Sequence, residues 1–384
     1  MTSQIAIAGI GLTEQAKSLD TSSIQICKQA FDLALKDAGM ELDEIDGICS
    51  RWPGPGGTQF DPGVVDWTGL LGKNFRWVCD TYPQGVPGIL DAAAAISFGL
   101  CETAVVFGGQ AGVLTSKKFA EYTKPENEFV KPWGLFTAAH FAIVAQVYFH
   151  RFNPDRAKLS EIASTIRNAG SVNPEAVMFN KGPYEPNDIT ESPMVSEPFH
   201  LLDLCLTSEG ASAFIVTSLE RARDCPNDPV RILGGGTEWY RQQYVDPPRY
   251  DEVGAIGRDA FERTFSAAGL QPTDIDIFEI YDINTWEIVR QFETLGLCEV
   301  GEGVDFLSEQ GIGPNGKFPT NTDGGLLSFS HTGWGGPNLK IIEAVRQIRG
   351  TASTGQLPRV ETALVTGAGS GAQYFNAAVL GADR

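Results

Sequence analysis

Three short segments of the chain carry groups that could do chemistry. Tyr281 ends the apolar, strand-like run Ile277–Tyr281 and Asp282 follows it. A phenol at this position can hydrogen-bond a substrate hydroxyl and relay its proton. His331 lies in a loop rich in serine and glycine, and the ordinary imidazole pKa of about 6.5 would let it exchange protons at neutral pH. The glycine-rich stretch Gly367–Gly371 lets the backbone approach an oxygen closely, so its N–H groups could stabilise negative charge there.

Each of these segments also has a purely structural interpretation. A tyrosine at the end of a buried strand is commonly a packing residue with one satisfied hydroxyl, and Asp282 could equally be a turn carboxylate or part of an ion pair. The glycine-rich stretch resembles a dinucleotide fingerprint, but a second strand-like run follows it where that motif requires a helix, which argues against NAD binding. The remaining histidines are interpreted as structural or surface residues: His140, His150 and His200.

The composition limits the class of protein. The 384 residues are 42% apolar and 20% charged, which is typical of a soluble globular chain. No apolar run reaches the roughly 20 residues that span a bilayer, and no signal peptide is evident, so we expect a cytoplasmic protein. Seven cysteines without a CxxC pair fit reduced thiols and no bound metal. A net charge of −19 disfavours nucleic acid binding.

An internal repeat indicates how the chain is organised. Phe31–Asp46 and Phe261–Asp276 match at one constant offset; in each, an amphipathic helix ends at a glycine and a polar link leads into a strand. The repeat predicts a duplicated α/β fold with halves at 1–225 and 226–384, and residues of about 112–200 are interpreted as a loop insertion that covers the active site. Six further apolar runs are predicted strands: Ile5–Gly11, Thr103–Gly109, Ser212–Ser218, Val230–Gly234, Thr362–Gly367 and Phe375–Leu380.

The order of several motifs resembles the thiolase superfamily, in particular its sterol-carrier-type branch. The segment Ser192–Asp203, followed by Thr207–Ala213, is similar to the family's approach to its fifth strand. Asn321–Ser328 with His331 resembles its GGL…GHP loop, and Gly367–Gly371 resembles its terminal glycine-rich loop. The resemblance covers nearly the whole chain. It implies a thiolase fold, in which duplicated βαβαβ units form a five-layered αβαβα arrangement with a loop insertion.

The departures from the thiolase pattern are informative about function. In thiolases a cysteine opens the buried helix of the first half, three residues before a glycine; counting back from Gly85 reaches Tyr82. The terminal loop, where many thiolases hold a second cysteine, has only glycine and alanine at Gly367–Gly369. Tyr281 stands in place of the first family histidine, while His331 keeps the second. Because thiolytic cleavage needs a thiolate, ordinary thiolase chemistry is not expected.

One branch of the superfamily resembles this chain in that loss, the lipid-transfer-protein-type aldolases of steroid side-chain degradation. They cleave β-hydroxyacyl-CoA thioesters by retro-aldol chemistry and carry tyrosines at both positions that match Tyr281 and His331, so this chain differs at the second. The resemblance implies that these two residues are catalytic and that no cofactor is needed beyond the coenzyme A of the substrate. We expect substrate contacts from four further residues: Tyr82, Asp282, Gly369 and Gly371.

Two alternative functions stay open. Cys79 is close to Tyr82 in sequence and could be a displaced nucleophile in an atypical thiolase or acyltransferase acting on a 3-oxoacyl-CoA. The chain could also be a non-catalytic lipid-CoA binding protein. The acyl group is not determined, although tryptophans could line a pocket for a bulky ring system or simply belong to the core: Trp52, Trp67, Trp133, Trp239 and Trp334.

The resemblance also implies partners. Thiolase-fold sheets pair across a two-fold axis through first-half edge strands, so we expect a homodimer, with the strand Cys101–Gly109 as the candidate edge. The resembling aldolases work with a small zinc-ribbon/OB-fold protein, and we expect such a partner here. Coenzyme A is anionic, so this acidic chain would need a local basic patch or basic groups from a partner to bind it.

Overall fold

The computed structural model describes residues 4–51, 63–81, 85–112, 137–240, 249–369 and 373–383. Two of the expected substrate contacts, Tyr82 and Gly371, lie outside the described residues, as do Trp52 and Trp133. Within these ranges, none of the helices combines the length and apolarity needed to cross a membrane.

Nine strands form one mixed sheet and two form a small hairpin in the part of the chain that the structure describes. The strands are β1 (Ile5–Leu12), β2 (Gly47–Arg51), β3 (Trp77–Thr81), β4 (Thr103–Gln110), β5 (Met194–Ser196), β6 (Phe199–His200), β7 (Gly210–Ser218), β8 (Val230–Trp239), β9 (Ile277–Glu279), β10 (Thr362–Gly369) and β11 (Tyr374–Ala382). The helices are α1 (Ser23–Ala38), α2 (Val64–Leu71), α3 (Val86–Ser97), α4 (Thr137–Phe152), α5 (Arg156–Val172), α6 (Pro186–Glu191), α7 (Leu219–Ala222), α8 (Tyr250–Val253), α9 (Arg258–Ala268), α10 (Thr285–Thr294), α11 (Gly303–Gln310) and α12 (Gly336–Arg349).

The large sheet has a mirrored strand order. It runs β3-β2-β4-β7-β1-β8-β11-β10-β9, and β1 pairs antiparallel with β8 at its centre. Outward from that centre, the first half runs β1, β7, β4, β2 and the second half runs β8, β11, β10, β9. Leaving the hairpin aside, each half thus places its first strand, then its last, then the one before the last, then its second. The first half adds β3 at its edge, while the second half has only an isolated parallel bridge between Phe278 and Thr320 beside β9. This order confirms the predicted duplication.

The two copies of the repeat fold alike down to single side chains. Helices α1 and α9 end at Gly39 and Gly269, whose left-handed φ angles of 64° and 68° suit a residue without a Cβ. A short 3₁₀ turn then leads into β2 or β9. The matching carboxylates of Asp46 and Asp276 accept hydrogen bonds from the first backbone N–H of β4 and β10, at 2.9 and 3.0 Å. The sequence match therefore marks a true structural equivalence.

Helices α3 and α12 form the central layer. Ile89 and Ile341 of these helices share one apolar cluster with Val106 of the first half and Val365 of the second. Helix α1 covers the outer face of the first half, and α9 and α10 cover the outer face of the second half. Burial of these apolar faces drives the packing. The result is the expected five-layered α/β arrangement.

The prediction that the strand Cys101–Gly109 lies at an edge of the sheet is wrong. Strand β4 is interior, because it pairs with β2 on one side and β7 on the other. Among the described residues of the first half, the edge is β3, which pairs with β2 alone, and its Val78 is 49% exposed. The prediction failed because β3 combines Cys79, Asp80 and Thr81 and lacks the apolar run typical of a buried strand.

The described part of the insertion lies beside the loop that carries His331. It comprises α4 to α6 and the hairpin of β5 and β6. Gly170 of α5 packs so closely against the start of a π-helical turn, Gly325–Phe329, that a Cβ on Gly324 would lie 2.5 Å from its Cα. The insertion therefore supports this loop directly.

Candidate active site

The backbone of Tyr281 is fixed by a closed ring of hydrogen bonds at the end of β9. Its N–H donates to Oγ1 of Thr366 at 2.8 Å, and its carbonyl accepts from Nε2 of Gln291 at 2.9 Å. The Thr366 hydroxyl donates to Oε1 of Gln291 at 2.6 Å and closes the ring. The side chain of Tyr281 is 6% exposed. Because buried polar groups that satisfy one another resist rearrangement, α10 and β10 together set the position of Tyr281.

His331 faces Tyr281 across the site. The two ring centroids are 6.5 Å apart and the ring planes are inclined by 60°. The backbone of His331 is tied to Ser208, which donates its N–H to the His331 carbonyl at 3.1 Å and accepts the His331 N–H on its hydroxyl at 2.7 Å. Ser208 precedes β7, so the first half positions a histidine of the second half. Nε2 of His331 is buried and makes no hydrogen bond within the described residues.

Burial changes what His331 can do. It lowers the pKa of His331 to about 4, an effect that the Asp282 carboxylate opposes and the Lys340 ammonium adds to. The imidazole is therefore neutral at pH 7, with Nε2 available to hydrogen-bond or to accept a proton. The expectation that His331 changes charge near neutral pH is wrong, because it used the pKa of a solvated imidazole.

Asp282 supports the loop that leads to His331. It is fully buried, and its Oδ1 and Oδ2 accept the backbone N–H groups of Leu326 and Leu327 at 2.9 and 3.2 Å. Nζ of Lys340 lies 2.9 Å from Oδ1. These partners occupy the carboxylate. The geometry thus supports the orienting role of Asp282 and opposes the expected contact with substrate.

A buried acidic cluster lies behind Asp282. Lys340 of α12 is almost fully buried, and its Nζ is 3.7 Å from Oε2 of Glu279. Burial raises the pKa of Glu279, of Asp323 and of Glu343, the last to about 8. Glu343 is therefore mostly protonated at pH 7, so the cluster carries less negative charge than its composition suggests. The sequence signal for this cluster, a lysine inside the apolar run Leu339–Ile342, was missed.

Two helix N-termini meet beside His331. A Cβ on Gly336, the first residue of α12, would lie 2.8 Å from Cδ2 of the imidazole. Gly85, which precedes α3, packs against Pro337 with a φ of 93°. Unpaired N–H groups at helix N-termini favour negative charge. An oxygen anion beside His331 would therefore be stabilised from both helices.

At the end of β10, where we expected Gly369 to contact substrate, the neighbouring groups are those of the next strand. A Cβ on Gly369 would overlap the hydroxyl of Tyr374, and the Gly369 carbonyl accepts the N–H of Gln373 at 3.0 Å. The ring of Tyr374 stacks on Trp239, with centroids 4.9 Å apart. Glycine at 369 thus makes room for an aromatic side chain of the next strand. An oxyanion contact from the Gly369 backbone stays a prediction.

No disulfide joins the seven cysteines, all of which lie in the described ranges. Cys205 lies close to Asp282: its N–H donates to the Ile283 carbonyl at 3.0 Å, and burial raises its pKa to about 12. Cys79 lies on the edge strand β3, where its thiol interacts with Cys49. No group of three or more His, Cys, Asp or Glu side chains in these ranges could hold a metal ion.

Comparison with known proteins places this geometry in a family. Residues 251–382 match the thiolase C-terminal domain-like family. A steroid side-chain-cleaving aldolase of Thermomonospora curvata is 32% identical over 99% of this chain and 98% of its own. A 17-hydroxy-3-oxo-4-pregnene-20-carboxyl-CoA lyase of Mycobacterium tuberculosis is 31% identical over 97% of both chains. The solved Ltp2-ChsH2(DUF35) aldolase superposes with a TM-score of 0.83 at 28% identity, covering 99% of this chain and 98% of that chain. The chain belongs to the thiolase-like aldolases of the thiolase superfamily.

Proposed function

We propose that the protein is a carbon–carbon lyase that cleaves a β-hydroxyacyl-CoA by retro-aldol chemistry, releasing a ketone or aldehyde and a shorter acyl-CoA. The observation that carries this is the facing pair of Tyr281 and neutral His331, while the Cys205 thiol close to Asp282 is protonated. A thiolase must hold an acyl group on a thiolate, whereas an aldolase has only to move a proton from oxygen to carbon. The names of two relatives describe the same chemistry.

The site can supply both proton transfers. Tyr281 hydrogen-bonds the β-hydroxyl and relays its proton to Nε2 of His331 while the bond between Cα and Cβ breaks and Cβ becomes a carbonyl carbon. The electron pair of that bond enters the thioester enolate. Negative charge on the enolate raises the proton affinity of the adjacent imidazole, as Asp282 does from behind. His331 then returns the proton to Cα, so the reaction consumes no net acid or base.

We propose a bulky, steroid-like acyl group. Both relatives are named for steroid substrates or steroid side chains. Trp239 is 50% exposed and stacks on Tyr374 next to the end of β10, so it offers a flat apolar wall at that edge. Trp67, by contrast, is a core residue packed edge-on against Phe107, and it cannot line a substrate pocket.

We propose that the active unit is a homodimer bound to a small DUF35-type protein with a zinc-ribbon/OB fold. A DUF35 component is part of the similar solved aldolase. Basic groups of the partner would offset the charge of −19 near the coenzyme A phosphates. Light scattering of the purified chain, alone and with a DUF35 protein, measures both assemblies.

Product analysis tests the proposed reaction. The protein is incubated with a β-hydroxyacyl-CoA of a steroid side chain, without free coenzyme A, and products are identified by mass spectrometry. A ketone and a shorter acyl-CoA in equal amounts, lost in Tyr281→Phe but kept in Cys79→Ser, are expected. Cleavage that needs free coenzyme A and disappears in Cys79→Ser would instead establish the thiolase alternative. Binding without turnover, in the presence of the DUF35 partner, would identify a non-catalytic carrier.

A further inference from the structure

Two cysteines lie side by side on neighbouring strands of the first half. Cys49 of β2 and Cys79 of β3 are direct register partners in a parallel pair, so their side chains leave the same face of the sheet. Adjacent strands are about 4.8 Å apart. A disulfide spans a Cα separation of roughly 4.4–6.8 Å. The spacing of the two strands therefore lies within the Cα range of a disulfide.

The two thiols differ in the way that a redox-active pair requires. They share a hydrogen bond that lowers the pKa of Cys79 and raises the pKa of Cys49. Cys79 is half-buried on the edge strand, whereas Cys49 is fully buried. Burial and the carboxylates of Asp91 and Asp80 oppose the lowering of the Cys79 pKa. Of two neighbouring thiols, the more exposed one with the lower pKa reacts first with an oxidant, and the other can then resolve the product.

We propose that Cys49 and Cys79 form a redox-modification site, which a peroxide converts into a reversible disulfide that slows turnover. The Cys79 thiolate attacks one peroxide oxygen, giving a sulfenic acid and hydroxide. The Cys49 thiol then attacks that sulfur, forming the S–S bond and releasing water. Two thiols lose two electrons and two protons in total, and the peroxide is reduced to two waters.

Helix α3 can transmit this change to the active site. Its Asp91 lies 3.9 Å from Sγ of Cys79 and accepts the Thr81 hydroxyl at 3.1 Å. One turn earlier, a Cβ on Gly88 would lie 3.8 Å from Sγ of Cys49, so the helix packs against both sulfur atoms. An S–S bond of about 2.05 Å draws the sulfurs closer than any hydrogen bond between them.

The other end of α3 borders the catalytic pair. Gly85, at its N-terminus, packs on Pro337, which follows the Gly336 that contacts His331. A shift of α3 would therefore move the wall of the site. Formation of the disulfide does not depend on the proposed function, whereas its effect on turnover rests on it.

Peroxide treatment of the purified protein tests the proposal. After alkylation and digestion, mass spectrometry should find a Cys49–Cys79 linked peptide and two fewer free thiols. Turnover should fall at least about fivefold and return with dithiothreitol. Cys101→Ser is the matched control, because burial raises the pKa of Cys101 to about 12 and its loss should leave both responses unchanged. Cys79→Ser should keep basal turnover and be insensitive to peroxide.

Three outcomes would overturn the proposal: no linked peptide, a stable oxidised Cys79 beside a free Cys49, or a linked peptide with unchanged turnover. The peptide measurement needs no substrate. A protein that forms the disulfide but never cleaves a β-hydroxyacyl-CoA would therefore refute the proposed function and the regulatory effect, while the modification site itself would stand.

Discussion

The neutral state of His331 leads to a sharp prediction about pH. Burial lowers the pKa of His331 to about 4, so only about 1% of the imidazole is protonated at pH 6. With the ordinary pKa of about 6.5, roughly three quarters would be protonated at that pH. If His331 accepts the substrate proton, protonation of the free enzyme must stop the reaction. We therefore expect that protonation of His331 does not lower kcat/KM between pH 8 and pH 6.

The perturbation is His331→Gln, which keeps a neutral polar side chain of similar size. Initial rates with a β-hydroxyacyl-CoA between pH 4.5 and 8 measure kcat/KM, whose pH dependence reports groups of the free enzyme. The variant should lose about 10²–10⁴-fold in rate at every pH, as expected for loss of a proton-transfer group. If kcat/KM of the wild-type protein falls with an apparent pKa near 6.5, and this fall is absent in the variant, the assignment of a neutral His331 is refuted.

The same pKa makes a stability prediction with a matched control. A histidine whose folded pKa lies below its unfolded value stabilises the protein fully above about pH 6.5, and that contribution is lost as the pH falls through about 4. The loss is worth about 3 kcal/mol. Burial lowers the pKa of His140 to about 4 as well. His331→Gln and His140→Gln should both weaken the acid dependence of urea unfolding, but only the first should lower kcat/KM.

Three further changes test Tyr281 and the buried residues around Asp282. Tyr281→Phe removes one hydroxyl with little change in volume, so kcat should fall by about 10²–10⁴-fold while the melting temperature stays nearly constant. Lys340→Met leaves Asp282 buried without its cation and should lower the free energy of unfolding by about 3–5 kcal/mol, measured in urea. The pKa of Glu343 is raised to about 8, so this residue contributes fully to stability below about pH 4.5, and the contribution is lost as the pH rises through 8. The free energy of unfolding should therefore decline over this pH range, and Glu343→Gln should abolish up to about 5 kcal/mol of the decline, measured by unfolding at several pH values.

The features that could be predicted from sequence are those set by local geometry. The repeat was visible because Gly39 and Gly269 must adopt a left-handed conformation, and Asp46 and Asp276 must cap the same strand in each half. Such requirements act within a few residues or on one neighbouring strand, so they restrict which residue types can stand at particular positions. The fold and the facing of Tyr281 and His331 were predicted by matching such sequence motifs to those of a known family.

The features that could not be predicted depend on what surrounds a residue in space. The sequence contains His331 but not the burial that lowers its pKa, and it contains Asp282 but not the N–H groups that occupy its carboxylate. Strand β3 was missed because an edge strand need not be apolar on both faces. Tyr82 and Gly371 remain predictions.

The geometry also explains how a thiolase scaffold can serve an aldolase. Retro-Claisen and retro-aldol cleavage both expel the enolate of an acyl-CoA thioester, so both need the same stabilisation of a negative oxygen. In the proposed mechanism, that stabilisation would come from the N-termini of α3 and α12 and from His331, which belong to both halves of the duplicated fold. The two reactions differ at the β-carbon: a thiolase attacks a carbonyl with a thiolate, whereas an aldolase deprotonates a hydroxyl. We therefore expect the exchange of the thiolase cysteine and first histidine for Tyr82 and Tyr281 to change only this second requirement, because a phenol can relay a proton without forming an acyl-enzyme.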